Sequence, residues 1–310
     1  MHDRTIKESH AVTAGTNILL TAIVPVGNMN GNLTSLRSWL NKISKFPLRV
    51  IIVHDEQDIQ TSLELKKIVS EFRGLEVVKI SGTFGCPGLA RNAGIALVSS
   101  PWVAFWDCDD EPILENIFSA IQNATDAEIL VGGFITAVAE NKNFEKKKSD
   151  TPTLQSVSFN PGLWRMIFRG HLVSKVEFTK LRLAEDQVFL SEINFAEKRK
   201  EFINRPFYEY KLGAPNQLTK DLSNLRDLIL ASEIILRKTN KNLLRETIVL
   251  NLTLVLRQQM TLLKLGDTNL RMNSLNLLCR YFVNANLKLL VLLLVAIYNV
   301  LWAFGKSKLK

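Results

Sequence analysis

Cysteine and histidine are both scarce in this chain. Its three cysteines, Cys86, Cys108 and Cys279, have no paired or metal-ligand spacing, which argues against a disulfide scaffold or a thiolate cluster. Four histidines occur, and His2, His10 and His171 have no metal partner near them in sequence. The start, Met1 to Asn17, is polar and has no apolar core run, so a loose arm is expected rather than a signal segment. With no signal segment and no paired cysteines, the expected setting is the reducing cytoplasm. There is no internal repeat, no low-complexity tract and no nucleic-acid recognition motif. A charged share of 22% beside a hydrophobic share of 46% also argues against disorder.

What the chain does have is an uneven charge. The net is +9 over 310 residues, yet residues 1–204 carry 23 Lys and Arg against 24 Asp and Glu, while residues 205–310 carry 16 against 6. The excess therefore lies in the last third, which also turns strongly apolar. Leu289–Phe304 has Asn299 as its one polar residue, with Lys288 before it and Lys306, Lys308 and Lys310 after. As a helix this run is about 24 Å long, short of the roughly 30 Å hydrocarbon layer. A spanning helix, an interfacial helix and a buried partner helix all fit it. Basic charge beside an apolar run points to an anionic membrane surface rather than to nucleic acid.

Ahead of that region, apolar runs alternate with amphipathic segments. Strands are expected at Ile18–Val26, Leu48–Val53, Leu75–Ile80, Trp102–Trp106 and Glu128–Val131. Helical spacing appears after Gly31, over Ser62–Phe72, over Ala90–Val98 and over Ile113–Ala124. This alternation predicts an α/β fold, a doubly wound, mainly parallel sheet flanked by helices. Glu140–Asp150 reads as a charged loop, Trp164–Phe168 as a short helix, Val176–Phe178 as a short strand, Asp186–Phe195 as a helix and Phe202–Tyr210 as extended. Residues 221–265 read as helical throughout.

Ligands of such sheets bind beyond the carboxyl ends of the strands, so the residues that follow each run are the candidates. Asp107 and Asp109 follow Trp102–Trp106 two residues apart, and in an extended chain they project to one side, where both can reach a hard divalent cation. The bland alternative is that Asp109 or Asp110 caps the helix expected near Pro112. Glu185-Asp186 precedes another apolar helix and invites the same two readings, cap or general base. Gly88-Leu89-Ala90-Arg91-Asn92-Ala93-Gly94 opens a helix whose free amides and Arg91 suit phosphate, or whose small residues serve close packing on the sheet. His54-Asp55 ends another strand. Cys108 has no neighbouring base to make it a nucleophile.

Taken together these features resemble the family 2 glycosyltransferases, which have the GT-A fold. Thr21–Asn28 is similar to that family's first strand and loop, with Gly27 in place of the usual Tyr. Val53-His54-Asp55 is similar to its Val-Asp-Asp, with His54 in place of the first Asp. Gly88–Gly94 resembles the Gly-x-x-x-Ala-Arg-Asn-x-Gly element, and Trp106-Asp107-Cys108-Asp109-Asp110 resembles Leu-Asp-Ser-Asp-Asp. Leu163–Arg169 through Ala184–Leu190 is similar to the acceptor half, and Tyr208–Lys211 with Gly213–Thr219 to the later strand and loop.

The resemblance covers roughly residues 18–220. It implies a GT-A domain there, a helical extension over 221–310, and donor binding by Asp55, Arg91, Asp107 and Asp109. It further implies Mg²⁺ or Mn²⁺ held by Asp107 and Asp109, and Asp186 as the base of an inverting transfer. The partners expected are a nucleotide-diphosphate sugar and a glycan or lipid-linked acceptor, in cell-surface polysaccharide or glycoconjugate synthesis. The basic, apolar carboxyl terminus adds a peripheral or anchored position on the cytoplasmic face of a membrane. Two rivals remain: a nucleotidyltransferase of similar fold, disfavoured because Gly27–Gly31 lacks lysine, and a non-catalytic sugar-nucleotide-binding scaffold.

Overall fold

The structure is a computed structural model that describes residues 17–56, 58–140, 143–148, 151–212, 221–239, 243–283 and 287–308. Nearly all of the expected arm, and the segment Gly213–Thr219, lie outside the described residues. The chain divides into two compact units. The first comprises the described residues of Met1–Pro152, Leu163–Lys180 and Arg199–Gln217, and the second those of Thr153–Gly162, Leu181–Lys198 and Leu218–Lys310.

In the first unit, β1 (Leu20–Val26), β2 (Leu48–Asp55), β3 (Val77–Gly82) and β4 (Trp102–Phe105) pair in parallel in the order β3-β2-β1-β4. Between them run α1 (Thr34–Leu40), α2 (Ile59–Glu71) and α3 (Pro87–Ile95). β1 and β2 read as unbroken aliphatic runs because both faces are covered. On one face Val24, Val50 and Ile52 pack with Leu36, Trp39, Leu65 and Ile68. On the other lies α3, where a Cβ built on Gly94 would stand 2.5 Å from Ile23 Cγ2 and 3.3 Å from Val53 Cγ2. No side chain fits at Gly94, so the small residues of this helix do serve close packing.

The second half of the sheet is mixed. Next in chain order come β5 (Glu111–Pro112), α4 (Leu114–Asn123), β6 (Ile129–Glu140), β7 (Asn143–Lys148), α5 (Leu154–Phe159, in the second unit), β8 (Met166–Arg169), α6 (Gly170–Val173), α7 (Glu185–Glu192, in the second unit) and β9 (Lys200–Leu212). The order continues β4-β8-β6-β9-β5, with only the β6–β9 pair parallel, and β7 pairs antiparallel with β6.

Three expectations change here. The charged stretch read as a loop holds β7, since its backbone pairs with β6 and charge is what an edge strand tolerates. Trp164–Phe168 is a single 3₁₀ turn, Leu163–Arg165, leading into β8, a short apolar run of the kind that suits either element by pattern alone. Val176–Phe178 is not a strand. The Asn92 amide holds it instead, donating to the Phe178 carbonyl (2.9 Å) and accepting its N–H (2.8 Å).

The second unit is helical: α5, α7, α8 (Arg226–Thr239), α9 (Arg245–Leu265), α10 (Thr268–Val283) and α11 (Leu287–Lys308). α9 packs on each of the others, and much of its length is buried. Two of its buried polar residues, Gln258 and Gln259, join a chain of side-chain hydrogen bonds. Ser274 Oγ donates to Gln259 Oε1 (2.6 Å), Gln259 Nε2 to Ser232 Oγ (2.6 Å), Ser232 Oγ to Gln258 Oε1, and Gln258 Nε2 to Gln187 Oε1 (2.9 Å).

α11 contains the expected apolar run and packs on α9 and α5 through Leu289, Leu292, Ala296 and Val300. Asn299, the lone polar residue of the apolar run Leu289–Phe304, accepts from Gln155 Nε2 on α5 at 3.4 Å. The opposite stripe, Leu290, Val291, Leu294, Tyr298 and Leu301, is exposed. Among the described residues no helix is long and apolar enough to cross a membrane.

Candidate active site

β4 ends at Phe105, and the next residues turn sharply, so that Asp107, Asp109 and Asp110 crowd at the carboxyl end of the parallel strands. None of them caps α4, whose N-cap is Ile113 and takes no side-chain bond. The capping explanation therefore fails for this turn.

The turn is instead held from β9 and α3. Asp107 N–H donates to the Tyr208 hydroxyl (2.9 Å), and Lys211 N–H donates to Asp110 Oδ1 (2.7 Å). Arg91 Nη2 meets Asp107 Oδ1 at 3.2 Å. Burial pushes Asp107 above the usual carboxylate range, and Arg91 pulls it back. Burial and the Asp107 charge raise Asp109 to about 6, while burial and both neighbouring carboxylates raise Asp110 to about 9. Asp110 Oδ2 is buried with no hydrogen-bond partner in the described structure. Charges of one sign held this close are costly unless a cation offsets them. Burial and the same carboxylates raise the Cys108 thiol well above its ordinary value, so it is no nucleophile.

Asp55 ends β2 and is buried. Its Oδ1 accepts from Phe84 N–H and its Oδ2 from Gly85 N–H, each at 2.8 Å. Gly85 sits at φ +74°, a left-handed conformation that glycine adopts without strain. Asp55 thus fixes the loop between β3 and α3. His54 beside it is fully buried, and neither ring nitrogen has a hydrogen-bond partner. Burial, then the charge of Lys79, lowers its pKa.

In the second unit, Glu185 and Asp186 open α7. Its N-cap, Ala184, takes a left-handed conformation (φ 64°, ψ 16°) and makes no side-chain cap bond. A non-glycine residue there is strained, and such strain clusters at functional sites. Asp186 Oδ1 accepts Gln187 N–H at 2.8 Å. The neighbouring helix α9 brings Gln258 to Gln187 and Arg257 to the Ser158 carbonyl (2.9 Å).

The structure brings Arg91 to Asp107, crowds Asp107 with Asp109, and sets Asp55, at the end of β2, against the loop ahead of α3. Tyr208 and Lys211 were legible as a later family-like strand, but not as the partners of the acidic turn. Arg257 and Gln258 carried no signal at all, because α9 reads simply as an amphipathic helix. As for a metal, among the described residues no cluster of three or more His, Cys, Asp or Glu side chains is arranged to hold one. The donors that are present, adjacent carboxylates and an orphaned carboxylate oxygen, are hard ligands of the kind Mg²⁺ or Mn²⁺ uses when substrate phosphates complete its shell.

Known proteins agree with this architecture. The chain resembles solved GT-A glycosyltransferases. S. aureus TarS 1-349 in complex with UDP-GlcNAc matches at 17% identity and TM-score 0.63, over 91% of this chain and 88% of that one. The mannosyltransferase PcManGT from Pyrobaculum calidifontis, in complex with GDP-Man and Mn²⁺, matches at 12% identity and TM-score 0.51, over 91% and 80%. No curated protein sequence matches the chain. The sequence profile of Glycosyl transferase family 2 matches residues 21–182, just over half of the chain. The chain belongs to that family. It is a GT-A glycosyltransferase that transfers a sugar from a nucleotide-sugar donor, which sets aside both the scaffold and the nucleotidyltransferase.

Proposed function

We propose that the enzyme is an inverting, metal-dependent transferase acting on a hydroxyl of a glycan or lipid-linked acceptor. In this reading Asp107 and Asp109 hold Mg²⁺ or Mn²⁺, and the bound cation supplies Lewis-acid stabilisation of the departing diphosphate. Arg91 steadies Asp107 and adds positive charge beside the donor. Asp55 contributes to donor binding on the nucleobase side, where it fixes the loop ahead of α3. Asp186, at the start of α7, takes the proton from the acceptor hydroxyl as that oxygen attacks the anomeric carbon. Attack from the face opposite the leaving group inverts the configuration. Residues 18–220 supply the transferase domain and residues 221–310 its helical extension.

The observation that carries this reading is the crowding of three carboxylates at the tip of β4 against a single guanidinium. Purified protein incubated with UDP- and GDP-sugars should consume donor only when Mn²⁺ or Mg²⁺ is present. Consumption that is equally fast in excess chelator would remove the metal from the mechanism.

The same reading puts the enzyme at the cytoplasmic face of a membrane, held peripherally. The exposed stripe Leu290, Val291, Leu294, Tyr298 and Leu301 on α11, in a region with a large cationic excess, supports an anionic lipid surface as its partner. Deleting residues 281–310 should release the protein from the membrane fraction. A truncated chain that still pellets with membranes rules this contact out.

A further inference from the structure

Arg257 lies on α9, beyond the stretch that matches the family, and is partly buried. Its Nη1 donates to the Ser158 carbonyl at 2.9 Å, and the guanidinium carbon stands 5.8 Å from the centre of the Phe159 ring. Both contacts fix the group, and neither carries negative charge. Among the described residues no carboxylate comes within ion-pair distance of it.

Burial holds its pKa down at about 10, and the charge of Asp186 pushes the other way. Arginine has five N–H donors, and one is used here. A cation withdrawn from water with no carboxylate in ion-pair contact is costly, and the cost is relieved when a ligand delivers the charge at close range. The next residue, Gln258, donates to Gln187 at 2.9 Å, which ties this turn of α9 to the first turn of α7, where Asp186 lies.

We propose that Arg257 is the contact for an anionic group, a phosphate or a carboxylate, carried by the acceptor. The proposal rests on the reading of Asp186 as the acceptor-side base. A guanidinium fork matches either anion with two parallel hydrogen bonds. Gripping the anion there would present a nearby acceptor hydroxyl to Asp186. It would also favour charged glycans or phosphate-linked lipids over neutral sugars.

Calorimetric titration of the full-length, metal-free protein tests this, with sn-glycerol 3-phosphate and glucuronate as probes and glycerol and glucose as neutral controls. Saturable binding of at least one anion, tighter than either control, is expected. Arg257→Gln should weaken it about tenfold or more, as expected for losing a charge-assisted contact. Preference for the phosphate points to a phosphate-bearing acceptor, and preference for glucuronate to a uronic-acid glycan. Anions that bind no better than the neutral controls, or bind Arg257→Gln as tightly as wild type, overturn the proposal.

Should Arg257→Gln not fold, Arg257→Lys carries the test. It keeps the charge but loses the fork, so binding should weaken several-fold, and unchanged binding is again contrary. Asp186→Asn separates the two readings, since it should keep anion binding while losing transfer. Normal transfer by Asp186→Asn with Arg257-dependent binding intact would fail the base assignment alone.

Discussion

The acidic turn after β4 and the polar chain through α9 are both half-hidden from water, yet they treat polar groups in opposite ways. In the chain Ser274–Gln259–Ser232–Gln258–Gln187 each side chain is satisfied by the next, and no net charge is involved. In the turn, three carboxylates share the Arg91 guanidinium, the more distant charge of Lys211 and a few N–H groups, Asp109 is raised to about 6 and Asp110 to about 9, and one oxygen is orphaned among the described residues. A satisfied network builds architecture. A frustrated one is what a bound cation would relieve, as the proposed function requires.

The comparison breaks most sharply at Asp109. Asp109→Ala should lower transfer by about a thousandfold or more, on the several kcal/mol that a bound metal supplies to a leaving diphosphate, while its melting temperature holds or rises because like-charge repulsion is relieved. Asp186→Asn should cost roughly a hundredfold to ten-thousandfold in kcat at little cost in stability. A Gln259→Leu variant should do the reverse. It removes the acceptor of buried Ser274 and one of the two partners of buried Ser232, for a loss of about 1–3 kcal/mol in denaturant unfolding, with kcat within a few-fold of wild type. Gly94→Ala should also act on stability, by about 1–3 kcal/mol, because its Cβ meets Ile23.

The smallest effect concerns pH. His54 has a folded pKa below its ordinary 6.5, so as pH falls the unfolded chain takes up the proton first. The stability this contributes is complete above the unfolded value and is lost as pH drops below about 6.5. Melting curves between pH 7.5 and 5.5 should fall with pH, and less steeply for His54→Asn.

The parallel half of the sheet was legible because strands covered on both faces leave unbroken aliphatic runs, as in Ile18–Val26 and Leu48–Val53. β7 was not, since its Lys-rich sequence lacks the apolar alternation that marks a half-buried strand. Nor was β8, because Met-Ile-Phe fits either element. The same contrast holds at the site. Asp107, Asp109 and Asp55 stand at or just beyond strand ends, where position alone marks them, and Arg91 lies in the second turn of the helix beside them. What holds them comes from far along the chain, Tyr208 and Lys211 for the turn and Gly85 with Phe84 for Asp55. No local pattern foretells such partners. Arg257 lies on a helix face whose spacing says only that it packs.

In the proposed mechanism the acidic turn holds a cation, which in turn holds a diphosphate. Thermal unfolding with UDP or GDP, with and without Mn²⁺, tests it directly, since a ligand that favours the folded chain raises its melting temperature. A rise that needs nucleotide and Mn²⁺ together, and that disappears in Asp109→Asn, is the result predicted. An equal rise in chelator, or one that survives in Asp109→Asn, would contradict it.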